Sequence, residues 1–182
     1  MLDFSKNYFD LFSLPVGYTV DSRSLAERYR ELQRVMHPDR YANATEQERR
    51  LSVQSASLIN EAFETLKDPI ARAGYLLTLH GVEIDAQSES TQDMDFLMQQ
   101  MALRETLEAI PDQPDPYEAI IALRSMIDKR ITDLVAQMAV HFETPTEERL
   151  EAAREILRKM CFLQKLHAEA ERVEAALEDE LN

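Results

Sequence analysis

Apolar residues recur along nearly the whole chain at helical spacing. Leu25, Tyr29, Leu32 and Met36 fall at offsets 0, 4, 7 and 11, one face of a helix, with Asp21 placed to cap it. Pro38 stops that helix, because a proline pushes the residue before it out of the α region. Thr45-Glu46-Gln47-Glu48 fits a capping box and opens a helix with a buried stripe of Leu51, Ser55, Leu58, Ala62 and Leu66, widened by Ile59 and Phe63. Asp68-Pro69 starts the next helix, and Gly81 closes it after Leu76, Leu77 and Leu79. A short apolar piece, Tyr8 to Phe12, precedes all of these and is interrupted by Pro15 and Gly17.

Residues 81–92 are polar and aperiodic and read as a linker. Three longer helices are predicted after it. One runs from about Gln92 to Ile110, where Pro111, Pro114 and Pro116 break it. The next runs from Pro116 to about Phe142, with Ile120, Ile127, Ile131, Leu134 and Met138 on one face. The last begins at Thr144-Pro145-Thr146-Glu147, which fits a capping box with proline at the first helical position. Its seam is Ile156, Met160, Leu163, Ala170, Val173 and Leu177. Short connections between long helices predict an antiparallel bundle, so the fold class is all-α: a helical unit over 1–80 and a three-helix bundle over 93–182.

Composition narrows the chemistry. With 3 glycines in 182 residues there is no Gly-rich phosphate cradle, and tight hairpins are hard to supply. The lone Cys161 excludes an internal disulfide and any CxxC zinc or redox motif, and fits a reducing compartment. His80, His141 and His167 are dispersed, so neither a metal nor another cofactor is expected. The net charge of −14 argues against nucleic acid as a partner. No secretory or membrane-spanning stretch is visible, which makes cytoplasmic the expected location, with no membrane partner. The charge is uneven: residues 1–80 net −1, whereas residues 81–182 net −13. Two modules with different partners are implied.

The distinctive local motif is His37-Pro38-Asp39, in the loop between two amphipathic helices. Pro38 fixes the backbone so that His37 and Asp39 belong to a loop and not to a packed face. Asp39 offers an acceptor-only carboxylate suited to an arginine on a partner, and His37 can donate or accept. At about 100° per residue, Arg23, Arg30 and Arg34 lie opposite the apolar stripe of the preceding helix and form a basic strip leading to the loop. A His-Pro-Asp turn can also be an ordinary surface turn. An enzyme using His37 and Asp39 as an acid/base pair would need a rigid pocket, and a charged loop supplies none. The chain is therefore not expected to be an enzyme.

The first 75 or so residues resemble a J-domain, whose hallmark is His-Pro-Asp between its second and third helices. The resemblance implies docking on a DnaK-type chaperone and stimulation of its ATPase through His37, Pro38 and Asp39, supported by Arg23, Arg30 and Arg34. Met36 and Arg40 flank the motif where many J-domains have Tyr and Lys, keeping the apolar or basic character. The run from Ile59 to Pro69, the run from Arg72 to Gly81, Phe96-Leu97-Met98, Leu103-Arg104-Glu105 and Arg158 to Leu163 are similar to the HscB family, J-type co-chaperones of iron–sulfur cluster assembly. No Gly/Phe-rich segment or repeated CxxCxGxG module is present, so a general DnaJ-type co-chaperone fits poorly. The cysteine-bearing extension of mitochondrial relatives is absent too, which favours the bacterial type.

The helix from Gln92 to Ile110 carries more apolar surface than one core can use. Phe96, Leu103, Leu107 and Ile110 fall within about 60° of each other and suffice as a core stripe. Leu97, Met98 and Met101, with Met94, form a second stripe facing roughly the other way; it can either pack internally or bind a partner adaptably. The HscB resemblance implies the second use, with the partner being the cluster scaffold IscU and the chaperone being HscA. The implied scaffold-binding residues are Leu97, Met98, Met101 and Glu105, with Phe162 from the last helix, where it lies off the seam and is compatible with surface use. Ala102 and Ala109 stand where the family commonly has acidic residues. A J-protein delivering a different client through the same bundle is the alternative.

Overall fold

The computed structural model describes residues 6–36, 45–84 and 93–180. Among them the secondary structure consists of seven α-helices and no strand. The chain divides into two compact units, Met1–His80 and Gly81–Asn182.

The first unit contains α1 (Tyr8–Leu11), α2 (Ser22–Met36), α3 (Glu46–Lys67) and α4 (Pro69–Leu79), and α3 is the helix against which the other three pack. Asp21 caps α2, accepting from the Arg23 N–H at 3.1 Å and the Ser24 hydroxyl at 2.6 Å. The Tyr29 ring stacks on Phe63 with centroids 4.0 Å apart, and its hydroxyl donates to Asn60 Oδ1 at 3.0 Å. The Gln33 amide donates to the same oxygen, so one amide fixes the register of α2 on α3. Thr45 and Glu48 form the reciprocal capping box predicted for α3. The buried stripe of α3 is turned slightly from the predicted one. It runs Ser52, Ser55, Ile59, Ala62 and Leu66, while Leu51 and Leu58 are half-buried. Ser52 can sit inside because its hydroxyl donates to the Arg49 carbonyl at 2.9 Å, just as Ser55 donates to that of Leu51.

Asp68 caps α4 through the Ile70 and Ala71 N–H groups, with Pro69 at the first helical position. Gly81 follows the helix with φ at +77°, a left-handed conformation that glycine adopts without strain. α1 is clasped to α4: the Tyr8 and Tyr75 rings stack at 4.3 Å, and the Tyr8 N–H donates to the Tyr75 hydroxyl at 2.9 Å. The Tyr8 hydroxyl donates to Glu61 at 2.8 Å, and burial together with that carboxylate pushes the phenol up to about 12.

The second unit contains α5 (Met94–Glu108), α6 (Pro116–Glu143) and α7 (Glu147–Glu180). α6 and α7 pack along each other, and α5 lies on α7. Phe96, Leu103, Leu107 and Ile110 join Ile120, Leu123, Ile127, Leu163 and Leu166 in one core, as the stripe of α5 predicts. The start of α7 differs from the expectation. The helix begins at Glu147, and Thr146 caps it, its hydroxyl accepting from the Arg149 N–H at 3.3 Å. Thr144 instead ends α6, so Pro145 lies outside both helices. Two overlapping Thr signals compete here, and the tight connection takes the first as a C-cap.

Asp93 ties down the start of α5. One carboxylate oxygen accepts from the Phe96 N–H at 3.0 Å, and the other meets Lys159 Nζ of α7 at 3.0 Å. The backbone hydrogen bond first, and Lys159 second, hold this carboxyl below the usual carboxylate range. A lowered folded-state value contributes stability above the unfolded value, lost as pH falls through the folded one. Asp93→Asn should therefore flatten the acid limb of the melting-temperature profile below about pH 4, relative to the wild type. Ile127 is fully buried, and Ile127→Ala should destabilise the second unit by about 2–5 kcal/mol in urea unfolding; a loss below 1 kcal/mol would contradict the packing described.

Candidate functional site

Two faces carry the candidate residues, one on each unit. In the first unit, Arg23, Arg30 and Arg34 are all exposed on α2, on the side away from buried Leu25. Arg23 Nε lies 3.2 Å from Glu27 Oε1, and Arg30 Nε donates to the Ala26 carbonyl at 3.2 Å. The helix is described as far as Met36; His37, Pro38 and Asp39 lie outside the described residues, as does Arg40.

The second face is the outer side of α5. Its inner side is anchored by Phe96, Leu103 and Leu107, all buried, and by the Asp93 cap. Anchoring one side of a helix dictates what the other side presents. Met94, Met98 and Met101 are 67%, 66% and 63% exposed, Leu97 is half-buried beside them, and Glu105 is exposed one turn on. Three exposed thioether side chains on one rigid helix form an adaptable apolar surface. Ala102 and Ala109 are exposed as well, so this rim carries methyl groups where acidic side chains were the family expectation.

Phe162 lies mostly beneath that surface: it is 8% exposed and part of the second unit's core, where its place off the seam of α7 suggested an open surface position. Its ring meets Phe96 edge-on, with centroids 5.8 Å apart and planes at 89°. The Arg104 guanidinium lies over the same ring at 5.9 Å, and Lys159 lies over Phe96 at 5.4 Å. With Phe96, Leu103 and Leu134, Phe162 also lines a cavity of about 240 Å³ between α5, α6 and α7. A position off the seam of α7 is taken up by α5, a third helix that periodicity within α7 cannot reveal. Arg104 and Lys159 were missed for the same reason. Their signal, a cation one turn from an aromatic on a neighbouring helix, exists only after folding.

Among the described residues, no grouping of three or more His, Cys, Asp or Glu could hold a metal ion. Nor is any helix among them long and apolar enough to cross a membrane.

Comparison with known proteins identifies the scaffold that carries these faces. Residues 92–171 match the family model of the HSCB C-terminal oligomerisation domain. The co-chaperone protein HscB homolog of Shewanella loihica is 46% identical over 171 residues, covering 94% of this chain and 99% of that protein. The homolog of Shewanella halifaxensis is 48% identical over 174 residues, covering 95% and 99%. Among solved structures, chaperone HscB from Vibrio cholerae superimposes with a TM-score of 0.84 at 40% identity, covering 94% of this chain and 99% of that one. Human co-chaperone HscB gives 0.86 at 28% identity, covering 95% and 84%. With two helical units, an arginine-bearing α2 running towards His-Pro-Asp, and full-length relatives well above the identity that defines a family, the chain belongs to the HscB family, the J-type co-chaperones of iron–sulfur cluster assembly.

Proposed function

We propose that this chain is a non-catalytic adaptor, working in the cytoplasm, that brings the cluster scaffold IscU to the DnaK-type chaperone HscA and stimulates the ATPase of that chaperone. The observation that carries the client half of the reading is the exposed Met94, Met98 and Met101 stripe on a helix whose opposite side is locked into a core. An apolar surface of that kind gains about 25 cal/mol for each Å² it buries against a partner. The chaperone half is supported by His37-Pro38-Asp39 in the sequence and by the exposed arginines of α2 leading to it. Linking the two raises the effective concentration of client at the chaperone without any chemistry by the adaptor itself.

Client binding is assigned to Leu97, Met98, Met101 and Glu105, whereas Phe162 supports α5 from beneath. The alternative is a different client on the same face, and the exposed Ala102 and Ala109 give it a specific basis, because methyl groups at those two places leave a less acidic rim that selects partners differently.

Met98→Ala with Met101→Ala should weaken IscU binding in calorimetry by at least about tenfold, equivalent to about 1.4 kcal/mol, with an unchanged melting temperature. Wild-type protein that fails to bind IscU would favour the different client; IscU binding unaffected by the double substitution would discard the proposed surface. His37→Gln should abolish stimulation of HscA in a steady-state ATPase assay while leaving IscU binding intact, and full stimulation by this variant would refute the docking role. Phe162→Leu should lower the melting temperature more than it weakens IscU binding, the reverse of the Met98 and Met101 pattern.

A further inference from the structure

The arginine strip of α2 contains a carboxylate. At about 100° per residue, Glu27 falls within about 40° of Arg23 and about 60° of Arg30, so it shares the strip that the docking reading assigns to cations. Glu27 Oε1 is 3.2 Å from Arg23 Nε, and both side chains are largely in solvent, at 53% and 87% exposure. Beside the strip, Arg28 and Glu31 pair in the same way at 3.1 Å. Four arginines and two glutamates on α2 leave it a net charge of +2.

Helix stability does not account for the first of these pairs. Arg23 stands in the first turn of α2, which contains no acidic residue, and a cation there opposes the helix dipole. Its order is also the weaker one, since an acidic residue four positions before a basic one stabilises a helix more than the reverse. The Asp21 cap at the helix start and Glu27 one turn on both offset the charge of Arg23, and of the two only Glu27 lies on the strip itself.

We infer that Glu27 is a built-in counter-ion that tempers docking on the chaperone, holding Arg23 back from an acidic partner surface and limiting the net positive charge of the strip. This rests on the docking role proposed above and adds a residue that sets its strength. An approaching acidic surface meets the Glu27 carboxylate on the strip, and to take up the Arg23 guanidinium it must displace Glu27. Docking stays correspondingly weak and reversible, as an adaptor that must leave after each ATPase cycle requires.

The test is a titration of HscA ATPase stimulation by full-length wild type, Glu27→Gln, Arg23→Gln and the double variant, each over a series of salt concentrations. Glu27→Gln should lower the half-saturating concentration by about 2–5-fold at low salt, the range of one exposed ion pair. It should also steepen the salt dependence, because the docking face gains one net positive charge. Arg23→Gln should cost more in the Glu27→Gln background than in the wild type. Glu27→Asp, which keeps the charge, should stay close to wild type in half-saturation and salt slope. A purely structural role for Glu27 would move the melting temperature and leave the salt slope unchanged, which would overturn the inference. Glu27→Gln with unchanged or weaker stimulation, while Arg30→Gln still weakens it, would overturn the inference and leave the docking role standing. If Arg30→Gln and His37→Gln are both without effect, the docking role falls, and the inference falls with it.

Discussion

α5 must satisfy two apolar faces with one helix, and the solution is the edge-on contact of Phe96 with Phe162. That contact, with Leu103, Leu107 and Ile110 following along the same side, commits one face of α5 to α7 and α6. Once this is settled, the rotation of α5 about its axis has no freedom left. Met94, Met98 and Met101 point outward because Phe96, Leu103 and Leu107 point inward. The Asp93 cap and its ion pair with Lys159 fix the remaining variable, how far α5 slides along α7. The exposed methionine face is thus a by-product of core packing: its geometry is only as firm as the ring contact beneath it.

The first unit solves a different problem with similar means. The residues proposed for docking include a strip of side chains on α2, and α2 buries only Leu25 fully. Its orientation therefore depends on polar and aromatic contacts with α3, with Asn60 receiving both Tyr29 and Gln33, and Tyr29 stacked on Phe63. A helix held by few fully buried groups leaves most of its circumference available to charges. The contrast in net charge between the halves follows the same division of labour, with a nearly neutral unit presenting arginines and a strongly acidic unit presenting methionines.

Much of the fold was legible because this chain marks its helix ends with strong local chemistry. Asp21, Thr45, Asp68 and Gly81 each cap or close a helix as their residue types predict, and Pro69 and Pro116 occupy first positions. The two stripes of α5 were equally readable, since both follow from spacing within a single helix. Features that depend on a second helix were not. Phe162 looked available from the period of α7 alone, yet α5 takes it into the core. The predicted stripe of α3 included Leu51 and not Ser52, yet Ser52 satisfies itself on Arg49 and turns inward. Thr144 read as the cap of α7, yet Thr146 caps it, because the geometry of the α6–α7 connection, absent from the sequence, ends α6 at Thr144. The His37-Pro38-Asp39 motif stands on the sequence alone.

The length of α7 has a mechanical consequence. At about 1.5 Å per residue, its 34 residues make a rod roughly 50 Å long, and α6 runs beside it for 28 residues. α5, with 15 residues, lies against this double rod as a shorter splint. A tug along the axis of α5 is then a shear, which loads Phe96, Leu103 and Leu107 together instead of unzipping them one after another. The outer face can transmit force to its support while the joint beneath stays closed.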